Sequence, residues 1–266
     1  MSCSNCARPI CTECMTATSV GMRCPECSKQ TTRVVRGAAA FGTEPRVTYV
    51  LIAACVIAFL GSGQFGLGGS SSGNEIFRNG ALLGYGSLDG LTAIGVHEGQ
   101  YWRLITGGFL HSGLIHIGFN MYLLYYLGRM LEPLYGPWRF GAIYFTALLA
   151  GSFGALIQNP NGFTVGASGA VFGLMGAAFM EMRARGEDPF RSEIGMLIVL
   201  NLGLSFVISN VSIGGHIGGL VGGALVAILI GEADKRRLPR WTAFVICAVV
   251  AAAATVGAIV ASAPPS

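Results

Sequence analysis

Gly166-Ala167-Ser168-Gly169 opens one glycine-rich apolar segment of this chain, and Gly214-Gly215-His216-Ile217-Gly218-Gly219 lies in another. Both segments are apolar enough to lie in a lipid bilayer, where a histidine side chain is expensive unless it has a partner and a purpose. A serine and a histidine brought together in such a place would form a nucleophile and its base. Ser168 and His216 are therefore the first candidate catalytic residues.

The composition around these segments indicates a membrane protein. Of the 266 residues, 52% are hydrophobic and only 11% are charged, and the mean hydropathy is +0.60. Such a chain cannot present the mixed charged surface that a soluble domain of this size needs. Its 40 glycines fall mostly inside apolar runs, where small residues let helix backbones approach each other closely.

Seven apolar segments are candidate membrane spans, judged against the roughly 20 residues that cross a bilayer. They lie near Arg46–Gly61, Ser112–Leu131, Arg139–Gln158, Gly166–Met182, Ile194–Val211, Gly214–Ile230 and Trp241–Ala261. The sequence therefore predicts an all-α polytopic membrane protein.

The basic residues predict the orientation of these spans, because Lys and Arg concentrate in cytoplasmic loops. The N-terminus is polar and cysteine-rich rather than a short charged stretch before an apolar core, so we expect it in the cytoplasm. With that topology 15 of the 17 Lys and Arg residues lie inside, and only Arg78 and Arg103 lie outside. The C-terminus is then outside the cell membrane. A basic face toward anionic membrane lipid accounts for the net charge of +4, so no nucleic-acid partner is expected.

Ser168 is expected near the outer N-terminus of its helix. The preceding Asn159-Pro160-Asn161-Gly162-Phe163 is rich in turn residues and would lie outside. Free backbone N–H groups and the helix dipole favour developing negative charge at such a position. Serine among glycines is also a common small contact in membrane helices, and that is the alternative role of Ser168.

The second span carries His116 and Asn120, which are four residues apart and so lie on one helical face. Two hydrogen-bond donors could then point at one place, which would suit an oxyanion. Hydrogen bonding between membrane helices is an equally good interpretation of the pair when it is considered alone.

The outside connection before this span, from Ser62 to Ser112, is too long for an ordinary turn. Its Gly66–Gly73 stretch has the composition of a flexible linker. Tyr101-Trp102-Arg103-Leu104-Ile105 is aromatic and amphipathic, and we expect it to rest in the membrane interface. An interfacial anchor is at least as good an interpretation of Trp102 and Arg103 as a catalytic role.

From about Arg46 to Ile230 the chain resembles the rhomboid intramembrane serine proteases, in several motifs that occur in the family's order. Gly166-Ala167-Ser168-Gly169 resembles the GxSG motif, and Gly215-His216-Ile217-Gly218-Gly219-Leu220-Val221-Gly222-Gly223 resembles AHxxGxxxG with glycine for the first alanine. His116 to Asn120 resembles HxxxN and Trp102-Arg103 the WR pair, while Gly128, Glu132 and Gly136 fit GxxxExxxG. The aromatic residue one turn after Ser168 is Phe172, where the family often has tyrosine, so stacking is kept and the hydroxyl is lost.

The resemblance implies a six-helix catalytic core with a seventh, C-terminal transmembrane helix. It implies a dyad of Ser168 and His216 without an acidic third member, and the helix interiors contain no Asp or Glu that could orient His216. Stacking on Phe172 and packing at Gly219 and Gly223 would hold the imidazole instead. His116 and Asn120 would bind the oxyanion. No cofactor is expected for catalysis, and the implied substrates are single-span transmembrane proteins.

The N-terminal segment carries a different kind of candidate site, one that would bind a metal ion. Its six cysteines form three C-x-x-C pairs, which are typical of tetrahedral zinc ligands and would lie on the reducing side of the membrane: Cys3 and Cys6, Cys11 and Cys14, Cys24 and Cys27. The pattern resembles a B-box-type zinc module, yet two zinc ions need eight ligands. Crossed bracing would join the first and third pairs and leave the second pair over, and other pairings stay open. One pair is then spare, or an upstream segment completes the set.

These assignments divide the chain into five parts. They are a zinc module at 1–32, a basic linker at 33–45, the rhomboid-like core at 46–232, a basic cytoplasmic linker at 233–240 and a further transmembrane helix at 241–261. The zinc module would have a regulatory role or a cytoplasmic partner. The rival functions are a catalytically silent family member that binds membrane clients and, less favoured, a transporter, since broken helices and buried histidines also line transport pathways.

Overall fold

The structure is a computed structural model that describes residues 2–18, 21–29, 44–67, 73–87, 90–207 and 211–264. The chain separates into two compact units, Met1–Gly42 and Thr43–Ser266. The predicted basic linker at 33–45 lies almost entirely outside the described residues, as do most of the glycine-serine stretch and the end of the predicted span Ile194–Val211.

The first unit is small and is organised around its cysteines. Strands β1 (Thr16–Thr18) and β2 (Gly21–Arg23) pair antiparallel, and the short helix α1 (Pro25–Lys29) follows. Its buried core consists of Cys3, Ile10, Cys24 and Cys27. A core this small stabilises a fold poorly by apolar burial alone, which is the usual reason that such units depend on a metal.

The described part of the second unit is helical, with one two-stranded antiparallel sheet, β3 (Gly86–Ser87) and β4 (Ala93–Ile94). Two short helices flank that sheet, α3 (Glu75–Gly80) and α4 (Arg103–Thr106). The seven longer helices are α2 (Arg46–Ser62), α5 (Leu114–Tyr135), α6 (Pro137–Gln158), α7 (Ser168–Ala184), α8 (Glu193–Val207), α9 (Ile213–Lys235) and α10 (Thr242–Ala261).

Each of the seven predicted spans therefore contains a helix. By length and apolarity alone, three of them qualify as membrane-crossing among the described residues, namely α6, α9 and α10, while α2 and α8 are apolar but shorter. Helix α9 continues to Lys235, three residues into the segment assigned as a linker at 233–240. An ion pair between Glu232 and Arg236, one turn apart, is compatible with that continuation.

Helix α9 packs closely against α6 and α7, and glycine makes the approach possible. A Cβ atom added at Gly219 would collide with the backbone oxygen of Gly169, and one at Gly223 would collide with that of Gly173. No side chain fits at either position unless the backbones separate. Gly219 and Gly223, which the sequence predicts as packing positions, thus lie on the surface through which α9 meets α7.

A buried carboxylate joins α5 to the start of α2. Glu132 is 1% exposed and accepts hydrogen bonds from the backbone N–H groups of Val47 and Thr48 and from the Thr48 hydroxyl, at 2.9, 2.9 and 2.7 Å. The first N–H groups of a helix have no partner within it, so Glu132 supplies the missing acceptors for α2. One turn earlier on α5, a Cβ at Gly128 would collide with Thr48, which explains the small residue in that motif.

The described parts of the connection between α2 and α5 contain a buried hydrogen-bonded side chain that the composition does not predict. Arg103 is fully buried, and its guanidinium donates to the backbone oxygens of Arg78 and Ala81 at 2.8 and 2.7 Å and to the side chain of Gln100 at 2.6 Å. Trp102 stays half exposed and donates to the Asn79 oxygen. The pair therefore has two different roles, since Trp102 fits an interfacial position and Arg103 holds the connection together.

Candidate active site

Ser168 is the first residue of α7, and the chain reaches it through a turn that only glycine tolerates. Gly166 has φ +127°, and a Cβ there would lie 2.7 Å from Nε2 of His116. The backbone N–H of Gly166 donates to the Gly107 oxygen at 2.9 Å, which fixes the turn against the preceding connection. Ser168 is consequently presented at a helix N-terminus, where unpaired backbone N–H groups are concentrated.

His216 lies opposite Ser168, one turn into α9. Its Nε2 is 2.8 Å from the Ser168 hydroxyl oxygen, which is hydrogen-bonding distance. The Phe172 ring stacks on the imidazole with centroids 4.2 Å apart and planes 17° from parallel. The structure thus brings together the two residues predicted as a dyad, with the predicted aromatic residue under the ring.

A second hydroxyl, that of Ser205 on α8, contacts the other nitrogen of His216. The oxygen of Ser205 lies 2.7 Å from Nδ1, and the same hydroxyl is 2.7 Å from the backbone oxygen of Asn201. Ser205 was not predicted from the sequence, because only Asp and Glu were considered as side chains that could orient His216. A signal was available, since Asn201 and Ser205 are four residues apart in an otherwise apolar helix, the same spacing as His116 and Asn120.

His116 is held with one nitrogen toward the nucleophile. The backbone N–H of Ser112 donates to its Nδ1 at 3.4 Å, and the Ser112 hydroxyl is 3.0 Å from the same atom. Because a backbone N–H can only donate, Nδ1 is an acceptor, and in the neutral imidazole the hydrogen is on Nε2. That N–H points into the turn at Gly166, beside Ser168.

The Asn120 side chain is 4% exposed and lies one turn further along the same face of α5. Its amide nitrogen donates to the His116 backbone oxygen at 2.9 Å. An amide nitrogen carries two hydrogens, so one remains for another acceptor. His116 and Asn120 therefore offer two side-chain donors on the side of Ser168.

All these groups line one cavity of about 930 Å³ between the helices. The polar residues that line it include Ser168, His216, His116, Asn120, Asn201 and Ser205. A volume of this order is typical of sites that hold a small molecule or a short stretch of chain.

In the first unit, four of the six cysteines converge. The sulfur atoms of Cys3, Cys6, Cys24 and Cys27 all lie within 4.8 Å of one another, and those of Cys6 and Cys24 are 3.9 Å apart. Four thiolates around one zinc at about 2.3 Å would be roughly 3.8 Å apart, so the set fits a tetrahedral ion. Backbone N–H groups, that of Cys24 first, lower the pKa of the Cys3 thiol to about 6, which favours the thiolate that a metal needs.

The other two predicted ligands, Cys11 and Cys14, are exposed and lie outside this four-cysteine cluster. The geometry is that of the crossed pairing, in which the first and third C-x-x-C motifs share one site. Which pairs cross depends on how the chain folds back through β1 and β2, and spacing alone does not decide that.

The fold and the site define a polytopic helical membrane protein with a serine–histidine pair in a cavity between its helices. A model of the Rhomboid domain matches residues 98–233, just over half of the chain. The chain therefore belongs to the rhomboid family and is a multi-pass membrane protein.

Several curated proteins are similar to the chain. Rhomboid protease GluP of Bacillus subtilis (strain 168) is 33% identical over 221 residues, which are 80% of this chain and 40% of that protein. Putative rhomboid protease YdcA of the same organism is 34% identical over 148 residues, covering 54% of this chain and 74% of the relative. RHOMBOID-like protein 7 of Arabidopsis thaliana is 36% identical over 187 residues, covering 66% of this chain and 56% of the relative. The chain thus spans less than half the length of the first of these proteins.

Proposed function

We propose that this protein is an intramembrane serine protease that hydrolyses peptide bonds in or near the transmembrane segments of other membrane proteins. The observation that carries the proposal is the 2.8 Å contact between Ser168 and His216 in a cavity of the helical bundle. Similarity to proteins called rhomboid proteases supports the same reaction class.

In the proposed reaction His216 accepts the Ser168 proton at Nε2 while the serine oxygen attacks the scissile carbonyl. The proton then passes from Nε2 to the leaving amine, which departs and leaves an acyl-enzyme. Water hydrolyses the acyl-enzyme in the reverse sense, with His216 again as the base.

The negative charge that develops on the carbonyl oxygen needs donors already in place. We assign this role to Nε2–H of His116, to the free N–H of the Asn120 amide and to the backbone N–H of Ser168. Nε2 of His116 lies beside the turn at Gly166 that leads into Ser168, and Asn120 lines the same cavity, which supports the assignment.

The substrate class follows from where the cavity is. Because Ser168 begins its helix instead of occupying its middle, the nucleophile would lie toward one end of the bundle, where water and an unwound stretch of substrate can enter. We propose single-span membrane proteins as substrates and, from the distribution of basic residues, an outward-facing cavity with a cytoplasmic N-terminus.

The test is cleavage of a model single-span protein in liposomes by Ser168→Ala and His216→Ala variants. We expect each to abolish turnover while the protein stays folded, because members of a catalytic unit fail together. His97→Ala is the matched control for histidine loss, since His97 is exposed and outside the cavity. Near-normal turnover in either variant would refute the dyad.

Covalent labelling separates the rival functions. A fluorophosphonate probe should label Ser168 in the wild-type protein and not in Ser168→Ala, because only an activated serine reacts rapidly. A transporter would remain unlabelled. A catalytically silent client-binding member would bind membrane proteins without cleaving them, and the hydrogen-bonded Ser168 and His216 argue against that role.

For the first unit we propose one zinc ion held by Cys3, Cys6, Cys24 and Cys27, with a regulatory or partner-binding role. The convergence of these four sulfur atoms supports it. When bound, zinc would supply a structural cross-link for a unit whose apolar core is very small. Catalysis in the second unit would need no cofactor.

The full-length protein should contain about one zinc per chain, measured by metal analysis after purification. Cys24→Ser should lose the metal, because it removes one of four ligands. Cys11→Ser is the matched control and should retain it, because Cys11 is exposed and outside the cluster. Two zinc ions per chain, or equal loss in both variants, would contradict a single four-cysteine site.

A further inference from the structure

The contact between Ser205 and His216 is the feature of the site that the dyad mechanism does not use. Ser205 is 4% exposed and His216 is 8% exposed, so solvent does not compete freely for either group. Ser205 belongs to α8 and His216 to α9, and the contact therefore joins two helices at the catalytic base.

The hydrogen positions follow from counting donors. A serine hydroxyl has one hydrogen, and the backbone oxygen of Asn201 can only accept it. With that hydrogen committed, the Ser205 oxygen faces Nδ1 of His216 as an acceptor at 2.7 Å. Nδ1 therefore carries the hydrogen in the neutral imidazole, and Nε2 presents its lone pair to Ser168.

Stacking on Phe172 does not determine which tautomer or which ring orientation His216 adopts. Turning the imidazole by half a rotation about its bond to Cβ leaves the two rings parallel, yet it exchanges the positions of nitrogen and carbon atoms. A directed hydrogen bond distinguishes these orientations, and it also distinguishes the two tautomers. Ser205 supplies that bond on the side away from Ser168.

We propose that Ser205 is the positioning residue that holds His216 in the Nδ1–H tautomer, so that its Nε2 is free to act as the base. This inference rests on the proposed protease function. Ser205 takes the place that an acidic residue has in a three-membered site, but it is neutral and changes no charge.

The attack step moves one proton, from the Ser168 hydroxyl to Nε2 of His216. As the bond forms between the Ser168 oxygen and the carbonyl carbon, the Ser168 proton moves to Nε2 and an electron pair moves onto the carbonyl oxygen. His216 then has a hydrogen on each nitrogen, and Nδ1–H still donates to Ser205. The Ser205 hydroxyl keeps its own hydrogen on Asn201, so no proton leaves Ser205 at any step.

The first test reads the tautomer directly. Nitrogen-15 NMR of histidine-labelled protein in liposomes distinguishes Nδ1–H from Nε2–H, with His216 assigned from the signal lost in His216→Ala. We expect Nδ1–H for the wild-type protein and Nε2–H or a mixture for Ser205→Ala. A wild-type signal from the Nε2–H tautomer would overturn the proposal, whatever any variant does.

A matched pair isolates the hydroxyl. Ser205→Thr and Ser205→Val have the same shape, but only threonine keeps an oxygen that can bond to both Asn201 and His216. Threonine should retain the Nδ1–H tautomer and valine should lose it. Ser62→Ala controls for loss of a buried helical hydroxyl, because among the described residues the Ser62 hydroxyl bonds to the Phe59 backbone oxygen alone.

Kinetics give the functional readout. We expect kcat to fall about 10- to 100-fold in Ser205→Ala and Ser205→Val, less than the roughly 100- to 10,000-fold effect of a general base itself because His216 is retained, with KM changed less than about threefold. Ser205→Thr and Ser62→Ala should stay near wild type. Unchanged kcat in both hydroxyl-free variants would overturn the role, whereas a wild-type protein that neither cleaves nor labels would refute the protease function and leave the tautomer result standing.

Discussion

At the scale of residues, hydrogen bonds hold each of the two histidines by the nitrogen that lies away from Ser168. Ser112 engages the far nitrogen of His116, and Ser205 engages the far nitrogen of His216. In the proposed tautomers the remaining nitrogen of each histidine lies on the side of Ser168, with a hydrogen in His116 and a lone pair in His216. In the proposed reaction the same residue type would therefore serve as an oxyanion donor and as a base, because its second nitrogen has a different partner.

Substitution of the two oxyanion donors should lower rate without removing the nucleophile. Losing one such donor typically lowers kcat about 100- to 1,000-fold, and the remaining side chain and the Ser168 N–H should leave Asn120→Ala slow but measurable. Asn79→Ala, at an exposed asparagine, is the control. If His116→Ala and Asn120→Ala both kept wild-type kcat in liposome assays, these residues would be structural helix contacts only.

At the scale of elements, the distance between Ser168 and His216 is set by the contact of α7 with α9. That contact is backbone against backbone, since Gly219 faces the Gly169 oxygen and Gly223 faces the Gly173 oxygen. A hydrogen bond of 2.8 Å tolerates little displacement. Packing of the glycine surfaces of α7 and α9 therefore determines whether His216 reaches Ser168.

Gly219→Ala should lower both stability and activity, because the added methyl group would meet the Gly169 backbone and force the helices apart. Overpacking of this kind destabilises by about 1–3 kcal/mol, and a shift near 1 Å can lower rate about 100-fold. The measurements are a denaturation curve in detergent and kcat in liposomes.

Gly231→Ala on the same helix is the matched control, since among the described residues the added Cβ would meet nothing within 4 Å beyond its own stretch of helix. Alanine there should be neutral or stabilising, because it favours helix by up to about 1 kcal/mol over glycine. Equal changes in stability and kcat in Gly219→Ala and Gly231→Ala would show that helix propensity, and not the α7–α9 contact, determines both quantities.

At the scale of the whole molecule, the two units carry different chemistry. The cysteine unit contains a candidate metal site, and the helical unit contains the serine–histidine pair and its cavity. The residues that line this cavity all belong to the second unit. Peptide-bond hydrolysis should accordingly be a property of the second unit alone.

A chain that begins at Arg33 should therefore fold and cleave a single-span substrate in detergent within about threefold of the full-length kcat, because it retains every group of the proposed reaction. The kcat of this shorter chain is compared with that of the 266-residue chain, which is assayed with and without a zinc chelator. A truncated protein that is folded, labels at Ser168 and yet does not cleave would mean that the first unit acts on substrate delivery.

The sequence by itself determined the positions of the long helices and predicted Ser168 and His216 as a pair. Apolar length is a local property, so a helix could be expected in each of the seven apolar segments before any packing was known, and the GxSG and histidine motifs drew attention to Ser168 and His216. Tertiary structure decided the contacts between segments. In the folded protein Arg103 is buried, the sulfur atoms of four of the six N-terminal cysteines lie close together, and Ser205 lies beside the second nitrogen of His216. Such contacts depend on which faces of distant helices meet, and the spacing of Asn201 and Ser205 in an apolar helix has the same sequence signature whether the pair faces lipid or His216.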